Sequence, residues 1–227
     1  MKTELIKNLF STRTAKAFDT WAGDYERKAR EMLRLRGYSY ETLAGEILNN
    51  LTPRRSSLIL ELGTGTGVLG SKVNSERGMR LFGMDISSAM LGEASKSGAY
   101  DGLTRANATH LPFADGVADG LFSGFVLHSV WNQRRALREI SRVLKPKALV
   151  VIIDLFPIGR SLWQSVIMGM AHSIKYEHGA LARYVPVNHF VKLASEEGFS
   201  VKLVQRMGIE KTYSHFLIAM ERVHHDE

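Results

Sequence analysis

The residues best placed to do chemistry begin at Glu61. Gly63, Gly65, Gly67 and Gly70 follow it, with Thr64 and Thr66 between the first three. Ser57–Leu62, just before the glycines, is a short apolar run broken only by that acid. Such a run reads as a buried parallel strand. A strand that ends in glycines and opens a helix leaves backbone N–H groups aimed at a ligand, with no Cβ in the way. At the carboxyl edge of a sheet, this turn takes a nucleotide-like ligand. Gly65-Thr-Gly67-Val-Leu-Gly70 fits the dinucleotide fingerprint G-x-G-x-x-G. Glu61 argues for a different ligand, because a carboxylate aimed at the turn repels a pyrophosphate and attracts a cation. Asp85, 20 residues after Gly65, ends Met79–Met84, which reads as the second strand. An acid there is placed to accept hydrogen bonds from ribose hydroxyls, which suits either ligand class.

Composition narrows the choices. The chain has 227 residues, 44% hydrophobic and 23% charged, enough for one α/β domain with a sizeable core. It has no cysteine, which excludes disulfides, thiolate metal sites and cysteine nucleophiles. The net charge of +7 admits an acidic substrate, an anionic surface or nucleic acid as partner. The basic residues are scattered, with modest clusters at 27–36 and 134–147, and read as a solvated surface. The N-terminus has no apolar signal core, and the apolar run Ala148–Ile153 is too short to span a bilayer. A cytoplasmic location is expected, with no membrane span.

The elements that must position Glu61 and Asp85 follow from periodicity. Residues 1–50 read as helices, with Phe18, Trp21, Tyr25 and Met32 on one face. A second helix, Tyr40–Leu51, turns Leu43, Ile47, Leu48 and Leu51 inward and stops at Pro53. Val68–Ser75 continues as a helix from the glycine turn. Leu121–Leu127 reads as a strand after the Asp115-Gly116 turn. Arg135–Leu144 is an amphipathic helix with Leu137, Ile140 and Leu144 inward and Arg138, Glu139 and Arg142 outward; Ala148–Ile153 is the fifth strand. Ile158–Ile174 reads as a helix with Leu162, Val166, Met170 and Ile174 on its apolar face. Pro186–Glu197 is another, ended by Gly198. Ser200–Met207 and Thr212–Met220 alternate like an antiparallel hairpin, and Arg222–Glu227 reads as a frayed tail. The expected fold is α/β, a Rossmann-like three-layer sandwich. Its seven-stranded sheet is mostly parallel and ends in the antiparallel hairpin. One domain covers 1–227, with a helical cap at 1–52, a binding core at 57–153, an insertion at 154–198 and the hairpin at 199–221.

Four motifs in this order resemble one family. Glu61-Leu-Gly63-Thr64-Gly65-Thr-Gly67 resembles motif I of the class I S-adenosylmethionine-dependent methyltransferases. The helix opening Ile86-Ser-Ser-Ala-Met90 is similar to the next block. Asn107-Ala108-Thr-His110-Leu-Pro-Phe113 resembles the block whose polar residue binds the adenine amino group, although the family usually has aspartate at position 107. Asparagine still offers a carbonyl acceptor there. Leu127-His128, a helix and Arg142-Val-Leu-Lys-Pro146 complete the series, so the resemblance is continuous over about 57–153. Phe18-Asp-Thr-Trp-Ala-Gly-Asp-Tyr25 is similar to the N-terminal segment of small-molecule methyltransferases, such as those acting on quinones and natural products.

The resemblance implies S-adenosyl-L-methionine as cofactor and S-adenosyl-L-homocysteine as product. It implies a cofactor site of Glu61, Gly63, Thr64, Gly65, Gly67, Asp85, Ile86, Met90, Asn107, Ala108 and Phe125. It also implies a tyrosine, Tyr25, over the cofactor and a substrate lid within 154–198. The acceptor would be a small molecule, methylated on O, N or C. His128, just past the fourth strand, is the first candidate for a general base, with Tyr25 and His172 behind it, and His110 reads as an exposed loop residue. No metal is expected: His172 and His178 lack ligand spacing, and His224 and His225 sit on the tail. Three other readings stand beside this one. A NAD(P)-dependent oxidoreductase rests on Gly65–Gly70 and Asp85. An RNA methyltransferase rests on the basic balance, but Ser123-Gly-Phe-Val-Leu-His128 stands where an Asn/Asp-Pro-Pro-aromatic tetrad would be. The third is a scaffold that binds the cofactor without transferring its methyl group. No nucleic-acid partner is expected, and oligomeric state does not follow from any residue.

Overall fold

The structure is a computed structural model that describes residues 2–75, 78–167, 169, 183–207 and 213–223. Seven strands form one sheet: β1 (Leu58–Leu62), β2 (Arg80–Asp85), β3 (Gly102–Arg105), β4 (Ala118–Gly124), β5 (Leu144–Pro157), β6 (Phe199–Met207) and β7 (Tyr213–Arg222). Their order is β3-β2-β1-β4-β5-β7-β6. β1 to β5 are parallel neighbours, and β7 runs antiparallel between β5 and β6. The strand order reverses between β1 and β4, and in open α/β sheets the crevice beyond the carboxyl ends at such a point receives the ligand.

Helices α1 (Lys2–Leu35), α2 (Tyr40–Leu51), α3 (Val68–Asn74), α4 (Ser88–Ser95), α5 (Gln133–Val143) and α6 (Val187–Glu196) cover the sheet. Alternation along each strand makes two cores. Leu60 and Leu62 join Leu121, Ile140 and Phe190 on one face. Ile59 joins Ile47, Leu48 and Val73 on the other. Each such side chain removed from water contributes about 1.5–3 kcal/mol. Caps set several helix ends. Ser39 accepts the Thr42 N–H at the start of α2, and Thr52 ends it in the left-handed region with φ 43°. Asn132 accepts the Arg135 N–H and starts α5.

Several elements differ from the sequence reading. β4 is shifted three residues earlier than Leu121–Leu127, because Phe125 turns the chain at φ 60° and Leu127–Ser129 is a 3-10 turn. Met32 is exposed, while Ala22, Ala29 and Leu33 carry the buried face of α1 with Trp21. Glu139 is buried rather than outward, since it accepts the Leu111 N–H at 2.9 Å and the Arg142 guanidinium at 2.8 Å. Ile158–Arg160 is not helical, and Gly159 turns it at φ 63°. Arg222 belongs to β7 and donates to the Leu144 carbonyl. Met170, His172, Ile174, Tyr176, His178, His224 and His225 lie outside the described residues. No helix among the described residues is long and apolar enough to cross a membrane.

Candidate active site

A cavity of about 400 Å³ opens where the carboxyl ends of β1, β2 and β4 separate. Leu62 and Gly63, Met84 and Asp85, and Gly124 and Phe125 line it from those three strands, and α1 roofs it with Phe18 and Tyr25. The glycine turn forms one wall. The N–H groups of Gly63 and Thr64 both donate to the Met84 carbonyl, at 2.7 and 2.9 Å, and bend the chain across β2. The Gly67 N–H donates to the Thr64 carbonyl. The Gly65 N–H donates to Asp85 Oδ2 at 2.8 Å. Four amides of the turn are thus held by protein acceptors instead of forming an open row for a pyrophosphate. Gly63 must be glycine on two counts: its φ is 75°, and a Cβ would overlap Val126.

Glu61 is not in the cavity wall, contrary to the reading that aimed it at the ligand. It is 1% exposed, and its Oε2 accepts the Tyr100 hydroxyl at 2.6 Å. Gly70 makes room for the pair, since a Cβ there would lie 2.2 Å from both oxygens. Burial pushes the Glu61 carboxyl up to about 8; the Tyr100 hydrogen bond opposes this and the nearby Asp85 adds to it. Thr64 and Gly67 are likewise behind the lining. Thr64 is buried with its hydroxyl on the Met84 carbonyl, and Gly67 packs against Ala94.

Asp85 faces the cavity. Its Oδ2 takes Gly65, and its Oδ1 accepts the Ser87 N–H at 2.9 Å. Burial holds its carboxyl above the usual carboxylate range, against the pull of those backbone bonds. The roof is fastened nearby. Asp19 of α1 accepts the Ser87 hydroxyl at 2.5 Å and the Ala89 N–H at 3.1 Å, so one helix caps the start of another. The Ser87 bond, first among several, holds the Asp19 carboxyl below its ordinary value. Further along α1, Glu26 accepts the Thr66 hydroxyl of the glycine turn at 3.0 Å.

Ile86, Met90, Asn107 and Ala108 line the next stretch of wall. The Asn107 carbonyl, expected as an acceptor for an exocyclic amine, is already taken. It accepts both the N–H and the hydroxyl of Thr109, at 3.0 and 2.9 Å. The remaining polar atom of this side chain is its amide nitrogen, a donor. His110 is exposed at the rim.

At the β4 end, Phe125 lines the cavity and packs on His215, with ring centroids 5.0 Å apart. Burial pushes the His215 imidazole down to about 4, so it is neutral near pH 7. His128, the first candidate for a general base, does not line the cavity. It is buried, its N–H and Nδ1 meet the two oxygens of Asp154 at 3.0 and 2.5 Å, and its ring stacks on Tyr184.

Phe10, Ser11, Thr14, Trp131 and Arg135 also line the cavity and were missed from the sequence. Phe10 and Thr14 extend the stripe of Phe18 and Tyr25 at helical spacing, a signal present in the sequence but read only from Phe18 onward. Trp163, an aromatic on the helical residues 162–167, is 78% exposed. No group of three or more metal-binding side chains occurs among the described residues.

Comparison with known proteins matches this fold to methyltransferases. Residues 60–152 match the family described as a methyltransferase domain. A demethylmenaquinone methyltransferase of Thermotoga maritima is 27% identical over 173 residues, covering 69% of this chain and 74% of that protein. A malonyl-[acyl-carrier protein] O-methyltransferase of Legionella pneumophila is 31% identical over 147 residues, covering 63% of this chain but only 50% of that protein. The same fold occurs in the crystal structure of a geranyl diphosphate C-methyltransferase from Streptomyces coelicolor A3(2) bound to S-adenosyl-L-homocysteine. That structure has a TM-score of 0.67 and 15% identity, covering 80% of this chain and 75% of that one. Residues 60–152 thus match a methyltransferase domain, and the relatives and the fold together support a class I S-adenosylmethionine-dependent methyltransferase with S-adenosyl-L-methionine as its cofactor.

Proposed function

We propose that the protein transfers the methyl group of S-adenosyl-L-methionine to a small acceptor with a planar or apolar body, by in-line displacement inside the cavity under α1. The sulfonium already activates the methyl group, so the protein's part is to align the acceptor and exclude water. One observation carries this reading. Asp85 stands at the β2 tip with aromatic rings across the cavity from α1 and β4, beside a glycine turn whose amides are already paired.

In this assignment Asp85 accepts the ribose hydroxyls, using lone pairs left over from Gly65 and Ser87. Gly63 and Gly65 allow the cofactor's amino-acid end close to the backbone. Ile86, Met90, Asn107 and Ala108 enclose the adenine, with Asn107 donating through its amide nitrogen. Phe18, Tyr25 and Phe125 supply aromatic rings, whose faces attract a sulfonium without pairing it to a charge. The Thermotoga relative is named for a quinone-type acceptor, and a ring-bearing acceptor suits this aromatic lining.

An acceptor hydroxyl or enol must lose a proton. Tyr25 is the only phenol among the described lining residues, so it takes that role ahead of His128, which holds the β4 tip through Asp154. The cytoplasmic location expected from the sequence is part of this proposal. The test is transfer of label from methyl-labelled cofactor to a panel of hydroquinones, phenols and enols. Label recovered in an acceptor, and reduced in Tyr25→Phe, supports the reading. Cofactor that binds but never yields label to any of them supports the scaffold reading instead.

A further inference from the structure

Trp131 lines the cavity and meets two groups from distant parts of the chain. Phe10 of α1 stacks on it, with centroids 4.2 Å apart and planes 22° apart. The Arg183 guanidinium lies 5.5 Å from the indole centroid and donates from Nη1 to the Trp131 carbonyl at 2.8 Å. The Arg183 backbone is fastened to the same loop. Its N–H donates to the His128 carbonyl at 2.6 Å. The buried Gln133 amide donates both to the Leu127 carbonyl and to the Arg183 carbonyl, each at 2.9 Å.

Arg183 differs from the cations around it. Arg134 pairs with Glu196 and Glu197, and Lys192 with Glu196. No carboxylate among the described residues pairs with Arg183, and burial alone holds its guanidinium below its ordinary value. A half-buried cation without a counter-charge is costly unless other polar or π groups compensate it. Here the compensating groups are the Trp131 carbonyl and the indole face.

We propose that Arg183 is a positioning residue that holds Trp131 as a wall of the cofactor cavity. The proposal rests on the cofactor reading above. Arg183 holds the indole through its guanidinium while Phe10 of α1 stacks on it, so the wall depends on both residues. An arginine suits this position because its planar head can stack on a ring and donate in plane at once.

The test is a double-mutant cycle on S-adenosyl-L-homocysteine affinity, measured by calorimetry with Trp131→Ala, Arg183→Met and the pair. Each single variant should weaken binding by about tenfold, the scale of one cation–π contact with one hydrogen bond. The pair should bind no more weakly than the worse single variant, because Arg183 acts through Trp131. Arg183→Lys, which keeps the charge and loses the planar fork, should fall between wild type and Arg183→Met. This variant also serves if Arg183→Met does not fold. Multiplying losses in the pair, or Arg183→Lys binding as tightly as wild type, overturns the proposal. A wild-type protein that does not bind S-adenosyl-L-homocysteine would overturn the cofactor reading beneath it instead.

Discussion

The Glu61 carboxyl accepts the Tyr100 hydroxyl at 2.6 Å, behind the glycine turn and out of the cavity lining. The acid of the first motif therefore braces the turn from within instead of meeting the ligand. Gly70 is the third member of this brace, since any side chain there would push the two oxygens apart.

The brace makes stability depend on pH. The Glu61 carboxyl is held at about 8 against an ordinary value of 4.5. Between those values the folded protein keeps a proton that the unfolded chain has released, so stability falls as pH rises through that window. Melting temperatures of the cofactor-free protein should decline from pH 5 to pH 8, and Glu61→Gln should flatten the decline. An unchanged slope in that variant would assign the effect to another group.

Asp85 is expected to matter to affinity more than to folding. Asp85→Ala should weaken S-adenosyl-L-homocysteine binding by about 1–3 kcal/mol, the range for a lost buried hydrogen-bonding partner. Titration calorimetry measures this directly, and an affinity within twofold of wild type would remove Asp85 from the ribose site.

Asp19 ties α1 to the start of α4 through Ser87 and Ala89. Asp19→Ala should loosen the roof, costing about 0.5–2 kcal/mol as a lost helix cap. Limited proteolysis should cut α1 faster in the variant, and bound S-adenosyl-L-homocysteine should restore resistance. Equal cleavage rates in wild type and variant would show that the aromatic contacts hold α1 without this latch.

His128 and Asp154 are expected to act as one structural unit. Asp154→Ala removes the acceptor that the buried His128 N–H and Nδ1 meet, a loss of about 1–3 kcal/mol of stability. His128→Gln should preserve the pH profile of turnover, since this imidazole does not line the cavity. Loss of one limb of that profile would return His128 to proton transfer.

Much of this architecture was legible in advance because its signals are local. The face of Leu43, Ile47, Leu48 and Leu51 marks α2, and alternation marks the β6–β7 hairpin. Gly63, Gly65, Asp85, Ile86, Met90, Asn107, Ala108, Phe125 and Tyr25 all line the cavity. The failures have long-range causes. Glu61 shares the strand face of Ile59, where Tyr100, 39 residues away, meets it. The buried Glu139 owes its position to the Leu111 N–H, 28 residues away in sequence. Asn107 points the other way: its competing partner, Thr109, is two residues along, and short polar side chains are prone to such local turns.

Calorimetric titration of the wild-type protein with S-adenosyl-L-homocysteine, and separately with NAD, tests the central claim most directly. Saturable one-to-one binding of S-adenosyl-L-homocysteine, with no heat from NAD, is the predicted result. Tight NAD binding with no response to S-adenosyl-L-homocysteine would contradict it.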